Sequence, residues 1–238
     1  MTLFSPSVLD QAKVNFYSSY LHSNYYDQIR EDQGLREIIK ILREYGAGPK
    51  WLDVGAGPLT LFWSIPLKNI DSVYVNDLHP EALYVSNKFK KNDDIPKCYS
   101  ELLTLCDKTQ IHCRKLMWNW HVFDALSHWP TFTKGKFDLI TQMGCFGLAK
   151  DRGNFVDSVG QALRSLKEGG CLIGANWKRS SKLVSKNGID NSFLSQNLID
   201  EAAKVHKSHL KVCKIVPIVG DPSYDFVIIW VISNMEKL

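Results

Sequence analysis

The segment WLDVGAGP (51–58) combines residue types that can hold a small ligand. The apolar run WLDV reads as a strand and feeds directly into Gly55-Ala56-Gly57. Glycine permits a tight turn and leaves no Cβ in the way of an approaching molecule. Twenty residues past Gly57, at the end of the next apolar run SVYVN, stands Asp77. A carboxylate in that place can accept hydrogen bonds from both hydroxyls of an adenosine ribose. Asp53 adds a second carboxylate two residues before Gly55, where it would repel phosphates and favour a cation.

Those charges separate two cofactor classes. A dinucleotide loop reads G-x-G-x-x-G, but here Thr60 stands at the third glycine position and Pro58 follows the second glycine directly. A helix start of this kind is poorly suited to a pyrophosphate. S-adenosylmethionine carries a sulfonium and an ammonium and no phosphate, so the sequence favours the methyl donor over NAD. An NAD(P)-dependent reductase and a non-catalytic scaffold of the same fold stand as alternatives.

The elements that must position these residues follow from periodicity. VLDQAKVNFYSSYL (8–21) and LREIIKILREYG (35–46) have helical spacing, the second stopped by Gly46. From Trp51 onward short apolar runs (WLDV, SVYVN, NWHVF, FDLIT, CLIGA) alternate with amphipathic stretches at 59–66, 80–91 and 151–167. This alternation predicts a parallel sheet wrapped by helices. A basic loop, NWKRSSKLVSKNG (176–188), then a helix, SFLSQNLIDEAAKVH (192–206), precede two strands, LKVCKIVPIV and DFVIIWVIS. The short turn Gly220-Asp221-Pro222-Ser223 makes this last pair an antiparallel hairpin. The 27 residues between Lys91 and Asn119 are too many for a plain connection. Tyr99, Leu102, Leu103 and Leu105 predict an insertion with structure of its own. The expected organisation is a single domain over 1–238, with a helical N-terminal cap over 1–48 and a Rossmann-like core over 49–238.

DVGAGP resembles the first motif of class I S-adenosylmethionine-dependent methyltransferases, and Asp77 resembles their ribose-binding acid. Asp124, after NWHVF, is similar to the acid that holds the adenine amino group, with Ala125 beside it. LKEGG (166–170) resembles the late LKPGG motif of the same enzymes. The resemblance covers 51–175 and implies the Rossmann-like methyltransferase fold. Three further features resemble the nicotinamide, phenylethanolamine and indolethylamine N-methyltransferase group: GAGP before a helix, the long insertion before Asp124, and SYLxxxYY from Ser19 to Tyr26. That group implies tyrosines closing over the cofactor, here Tyr20 with Tyr25 or Tyr26. Pro58, Leu78 and Gln142 complete the implied cofactor set. Where the nicotinamide enzyme has an acid after its fifth strand, this chain has Asn176.

The acceptor is expected to be a small molecule, methylated at nitrogen, with oxygen and sulfur left open. Cys145, in QMGCF (142–146), and Asn176, Lys178 and Arg179 are the candidate acceptor contacts, because ligands bind beyond the carboxyl ends of such strands. The basic residues would suit an anionic group. An oxygen nucleophile would want a base, for which Tyr20, His79 and His121 are the candidates. QMGCF lacks the Asn- or Asp-Pro-Pro-aromatic signature of enzymes that methylate bases or glutamine amides. A net charge of +4 on 238 residues is too mild to argue for a nucleic-acid partner. No apolar run approaches the roughly 20 residues that cross a bilayer. MTLFSPSVLDQAKV lacks a basic start followed by an apolar stretch, so no secretory leader is expected. Six cysteines whose spacings miss zinc patterns predict free thiols, no metal and a cytoplasmic setting.

Overall fold

The computed structural model describes residues 8–92 and 94–234; the start of the segment inspected for a leader, residues 1–7, lies outside them. Among the described residues the strands are β1 (Lys50–Val54), β2 (Ser72–Asp77), β3 (Trp118–Val122), β4 (Phe137–Met143), β5 (Leu166–Arg179), β6 (His209–Pro217) and β7 (Tyr224–Ser233). They form one sheet in the order β3-β2-β1-β4-β5-β7-β6. β1 to β5 run parallel, while β7 is antiparallel to both β5 and β6. The chain moves from β1 outward to β3, then returns to β4 on the other side of β1. That reversal opens a crevice at the carboxyl ends of β1 and β4.

Period-two alternation fills both faces. Trp51, Val73, Val75, Val227, Ile229 and Val231 point to one core, and Leu52, Val54, Ile228, Trp230 and Ile232 to the other. Strands buried on both sides read as continuous apolar runs, which is why DFVIIWVIS has so little polar alternation. The first face carries α1 (Gln11–Tyr25), α2 (Leu35–Tyr45), α3 (Thr60–Ser64), α4 (Pro80–Lys90) and α5 (Lys97–Leu105). The second carries α6 (Arg152–Ser165) and α8 (Gln196–Val205). The predicted insertion is α5 plus a 3-10 turn over His112–Lys115. Tyr99, Leu102 and Leu103 bury its inner side, and Cys98, Cys106 and Cys113 lie in the same apolar core. No helix of the described residues is long and apolar enough to cross a membrane.

α1 starts at Gln11 because Asp10 caps it, its carboxylate accepting from the amides of Ala12 and Lys13. Only Leu21 and Tyr25 of this helix are buried, so it packs against α4 and contributes little to the core.

The segment expected as a basic loop is ordered differently. Asn176 to Arg179 extend β5, paired with β7 as far as Arg179 opposite Tyr224. α7 (Ser181–Asn187) follows, capped by Ser180 and ended by Gly188 at φ 69°. The hairpin partner, which composition does not reveal, is what prolongs the strand. β5 also starts earlier than CLIGA, at Leu166, through an irregularity next to Leu139.

Candidate active site

The glycine loop leaves β1 in a left-handed conformation, with Gly55 at φ 57° and Gly57 at φ 55°. The two glycines are needed for different reasons. A Cβ on Gly55 would lie 2.3 Å from the Cys145 sulfur, so the close approach of the turn after β4 demands glycine there. A Cβ on Gly57 would meet nothing within 4 Å; Gly57 faces open cavity. The loop is pinned by the end of β2. Ala56 N–H donates to the Asn76 carbonyl at 2.9 Å, and Gly57 N–H donates to Asp77 Oδ2 at 2.8 Å. Asp77 Oδ1 accepts from the His79 amide at 2.9 Å, leaving each oxygen a lone pair. Burial raises the Asp77 pKa, and the amides of His79 and Gly57 oppose it. The buried Asn76 side chain donates to the Phe123 carbonyl at 2.9 Å, tying the β3 end and neighbouring Asp124 to the loop. Sequence reasoning missed Asn76; its place directly before the strand-end acid is the signal that was there.

Asp53 stands behind this wall and not on it, 1% exposed. Its Oδ1 accepts from the Thr141 hydroxyl at 2.8 Å, whose oxygen in turn accepts from Trp51 Nε1 at 2.8 Å. The Thr60 hydroxyl is this carboxylate's second hydrogen-bonding neighbour. Burial pushes this carboxyl up to about 7, outweighing the hydrogen bonds of Thr141 and Thr60.

A cavity of about 520 Å³ opens over the loop, within the range of small-molecule sites. Its wall brings together Tyr20, Gly55, Gly57, Pro58, Asp77, Leu78, His79, Asp124, Ala125, Cys145 and Arg179 from the expected set. Around the glycine loop the wall holds the acids Asp77 and Asp124. Among the described residues the cavity's only Lys or Arg side chains, Arg30 and Arg179, belong to the far end, near β5, α1 and the β6–β7 turn. Among the described residues no lysine or arginine lines the wall at the loop, Lys13 reaching only the His79 ring, and a loop bordered by carboxylates fits a cationic, phosphate-free cofactor. The space beside Gly57 fits it too.

Other expected residues lie elsewhere. Tyr26 stacks on His22 at 4.8 Å, outside the cavity, while Tyr25 lines it and packs on Phe62 at 5.1 Å. Successive helical positions are about 100° apart, so one tyrosine faces in and its neighbour does not. Gln142 and Asn176, both fully buried, bond to each other below the floor: Gln142 Nε2 donates to Asn176 Oδ1 at 2.9 Å, and Asn176 Nδ2 returns to Gln142 Oε1 at 3.2 Å. Gln142 Oε1 also accepts the Phe146 amide at 3.0 Å, and Asn176 Oδ1 accepts Trp230 Nε1 at 3.1 Å. They hold the turn after β4 in place and touch no cavity. Lys178 alternates to the opposite face from Trp177 and Arg179 and sits 3.9 Å from Asp225. His121 stacks on Tyr74 and meets Phe132 at a tilt, away from the cavity. Burial lowers its pKa.

Of the candidate bases, Tyr20 and His79 stand on the remaining wall. Burial raises the Tyr20 phenol and holds the Cys145 thiol protonated, far above its usual range. His79 Nδ1 lies 3.4 Å from the Lys13 ammonium. The far end also includes Arg30, Gln33, Trp177, Asn191, Asp221 and Tyr224, none of which the sequence reading selected.

No protein-family model matches this chain, and no curated protein sequence matches it. Solved structures do share its fold. The N-methyltransferase NodS from Bradyrhizobium japonicum, in complex with S-adenosyl-L-homocysteine, is similar at 13% identity and TM-score 0.58, over 94% of this chain and 99% of that one. A Galdieria sulphuraria protein provisionally described as a sarcosine dimethylglycine methyltransferase is similar at 12% identity and TM-score 0.62, over 95% and 100%. A Haloferax volcanii complex of the Trm112 methyltransferase activator with a provisionally described methyltransferase is similar at 14% identity and TM-score 0.60, over 95% of each chain. The sheet and its surrounding helices are those of the Rossmann-like class I methyltransferases.

Proposed function

We propose that this chain, built on the class I methyltransferase fold, is an S-adenosylmethionine-dependent methyltransferase acting on a small-molecule acceptor at nitrogen. The observation that carries the reading is the open space beside Gly57, faced by the Asp77 carboxylate, at a cavity end whose described wall residues include no lysine or arginine. The cofactor supplies a methyl group already activated on a cationic sulfonium. Asp77 would accept from the ribose hydroxyls, and Asp124 with Ala125 would face the adenine. Asp53, behind the loop, would hold β1 to β4 through Thr141. Tyr20 and Tyr25, on the C-terminal part of α1, would cover the site and exclude water.

The rest of the reaction is alignment of nucleophile and methyl group, worth up to about 7–11 kcal/mol when geometry is held. A neutral amine needs no base to attack, and the raised pKa values of Tyr20 and Cys145 suit such an acceptor better than a hydroxyl. The likeness to the nicotinamide, phenylethanolamine and indolethylamine group, through GAGP, the insertion and the N-terminal tyrosines, supports nitrogen as well.

Asp77→Ala tests the site. It removes a charged acceptor whose hydrogen bonds are worth about 1.5–3 kcal/mol each, so S-adenosylhomocysteine should bind at least tenfold more weakly. Unchanged affinity in a folded variant would remove Asp77 from the site.

A further inference from the structure

The end of the cavity remote from the glycine loop has a chemistry of its own. Strand alternation brings Trp177 and Arg179 of β5 to the cavity, with Tyr224 of β7 paired opposite Arg179. Asn191 fixes this corner: its Oδ1 accepts the Arg179 amide at 2.9 Å, and its Nδ2 donates to the Trp177 carbonyl at 2.9 Å. Trp177 Nε1 donates to the Gln33 carbonyl at 3.1 Å. The backbone and indole are therefore held before any ligand arrives.

The two arginines at this end differ. Arg30 is occupied: Nε and Nη2 reach the two oxygens of Asp32 at 3.3 and 2.9 Å, Nη1 reaches Asn24 at 3.0 Å, and Asp221 lies at 3.4 Å. Asp221 is equally committed, since its Oδ2 also accepts from Gln33 at 2.8 Å and its Oδ1 from the Ser223 amide at 2.8 Å. Arg179 donates through Nη1 to the Ile189 carbonyl at 3.1 Å. Among the described residues it has no carboxylate within salt-bridge distance, although it is half-buried. Asp77 is not its partner: three strand spacings separate the ends of β2 and β5, roughly 14 Å, far beyond hydrogen-bond reach. A guanidinium presents donors in a planar fork that matches a carboxylate, and here the fork is short of an acceptor.

Resting on the methyltransferase reading, we propose that Arg179 receives a carboxylate of the methyl acceptor, so that the substrate class is a small amine that also bears a carboxylate. The amine attacks the activated methyl carbon, the carbon–sulfur bond breaks with its electron pair going to sulfur, and the methylated nitrogen releases its proton to water. The carboxylate on Arg179 fixes the molecule at one end of the cavity while its nitrogen faces the other.

The test begins with titration of the wild-type chain by S-adenosylhomocysteine. Wild type, Arg179→Met and Arg179→Lys are then assayed for S-adenosylhomocysteine formation on a panel of α-amino acids and aminobenzoates, each beside its carboxamide. The expected result is turnover of at least one carboxylate, with kcat/KM at least tenfold above that of its carboxamide. Arg179→Met should abolish that preference mainly through KM, with cofactor affinity and melting temperature retained, and Arg179→Lys should keep part of it. Turnover confined to carboxamides or neutral amines would overturn the proposal. So would a preference surviving in Arg179→Met, or no turnover of any carboxylate by a protein that binds the cofactor. Failure of the wild type to bind S-adenosylhomocysteine would instead overturn the methyltransferase reading on which this proposal rests.

Discussion

Replacing each loop glycine by alanine should separate the fold from the site. Both residues sit at positive φ, 57° and 55°, where a side chain costs about 1–2 kcal/mol. At Gly57 the new Cβ meets no protein atom within 4 Å, so that cost is the whole stability effect. With about 2–4 °C per kcal/mol for a chain of this size, Gly57→Ala should lower Tm by roughly 2–8 °C. At Gly55 the Cβ would fall 2.3 Å from Cys145 Sγ and 2.4 Å from its Cβ. Overpacking of this kind adds about 1–3 kcal/mol, so Gly55→Ala should lose about 2–5 kcal/mol and melt well below its partner. Binding should run the other way. The Gly57 Cβ occupies cofactor space, and a tenfold loss of affinity is about 1.4 kcal/mol. Thermal melting with and without S-adenosylhomocysteine reads both quantities at once. At a hundredfold excess over Kd the ligand stabilises wild type by about 2.7 kcal/mol, and a tenfold weaker variant by only about 1.4. Gly57→Ala should thus show about half the wild-type ligand shift or less. A full ligand shift in Gly57→Ala, or a loss of stability equal to that of Gly55→Ala, would refute the division of roles.

Two further outcomes are expected. The folded pKa of Asp53, about 7, lies above its unfolded value near 3.9, so its contribution to stability is fully present below about pH 4 and is lost as pH rises through 7. Asp53→Asn should therefore gain stability relative to wild type between about pH 5 and 8, and parallel urea-unfolding profiles over that range would contradict the burial argument. Asn176→Ala leaves the Gln142 amide and Trp230 Nε1 without their partner, at about 1–3 kcal/mol. Its Tm should fall while S-adenosylhomocysteine affinity stays within about twofold, as calorimetry would show; weakened binding with unchanged Tm would return Asn176 to the site.

Much of the fold was legible because it rests on local pattern. WLDV, SVYVN, NWHVF and FDLIT coincide with β1 to β4, and Gly220 to Ser223 connects the hairpin as its length requires. The sequence did not show that Asn176 to Arg179 would continue β5, since that depends on pairing with β7 more than 40 residues later. The same holds at the site. Gly55, Gly57, Asp77 and Asp124 follow from position at strand ends, and they meet on one cavity wall. Gln142 and Asn176 also occupy strand positions near the crevice, but alternation turned them into the interior, where each satisfies the other. Tyr25 and Tyr26 could be separated only by the phase of α1. Arg30, Gln33 and Asp221 reach the cavity through contacts spanning 188 and 191 residues, which no local signal carries.

The most direct measurement is calorimetric titration of the protein with S-adenosylmethionine and S-adenosylhomocysteine, with NADH as a third ligand. The open Gly57 face, the Asp77 carboxylate and a described wall without lysine or arginine at that end predict micromolar binding of the first two, about −8 kcal/mol, and none of NADH. Binding of NADH with silence for both sulfur compounds would contradict the central claim and assign the cavity to a dinucleotide.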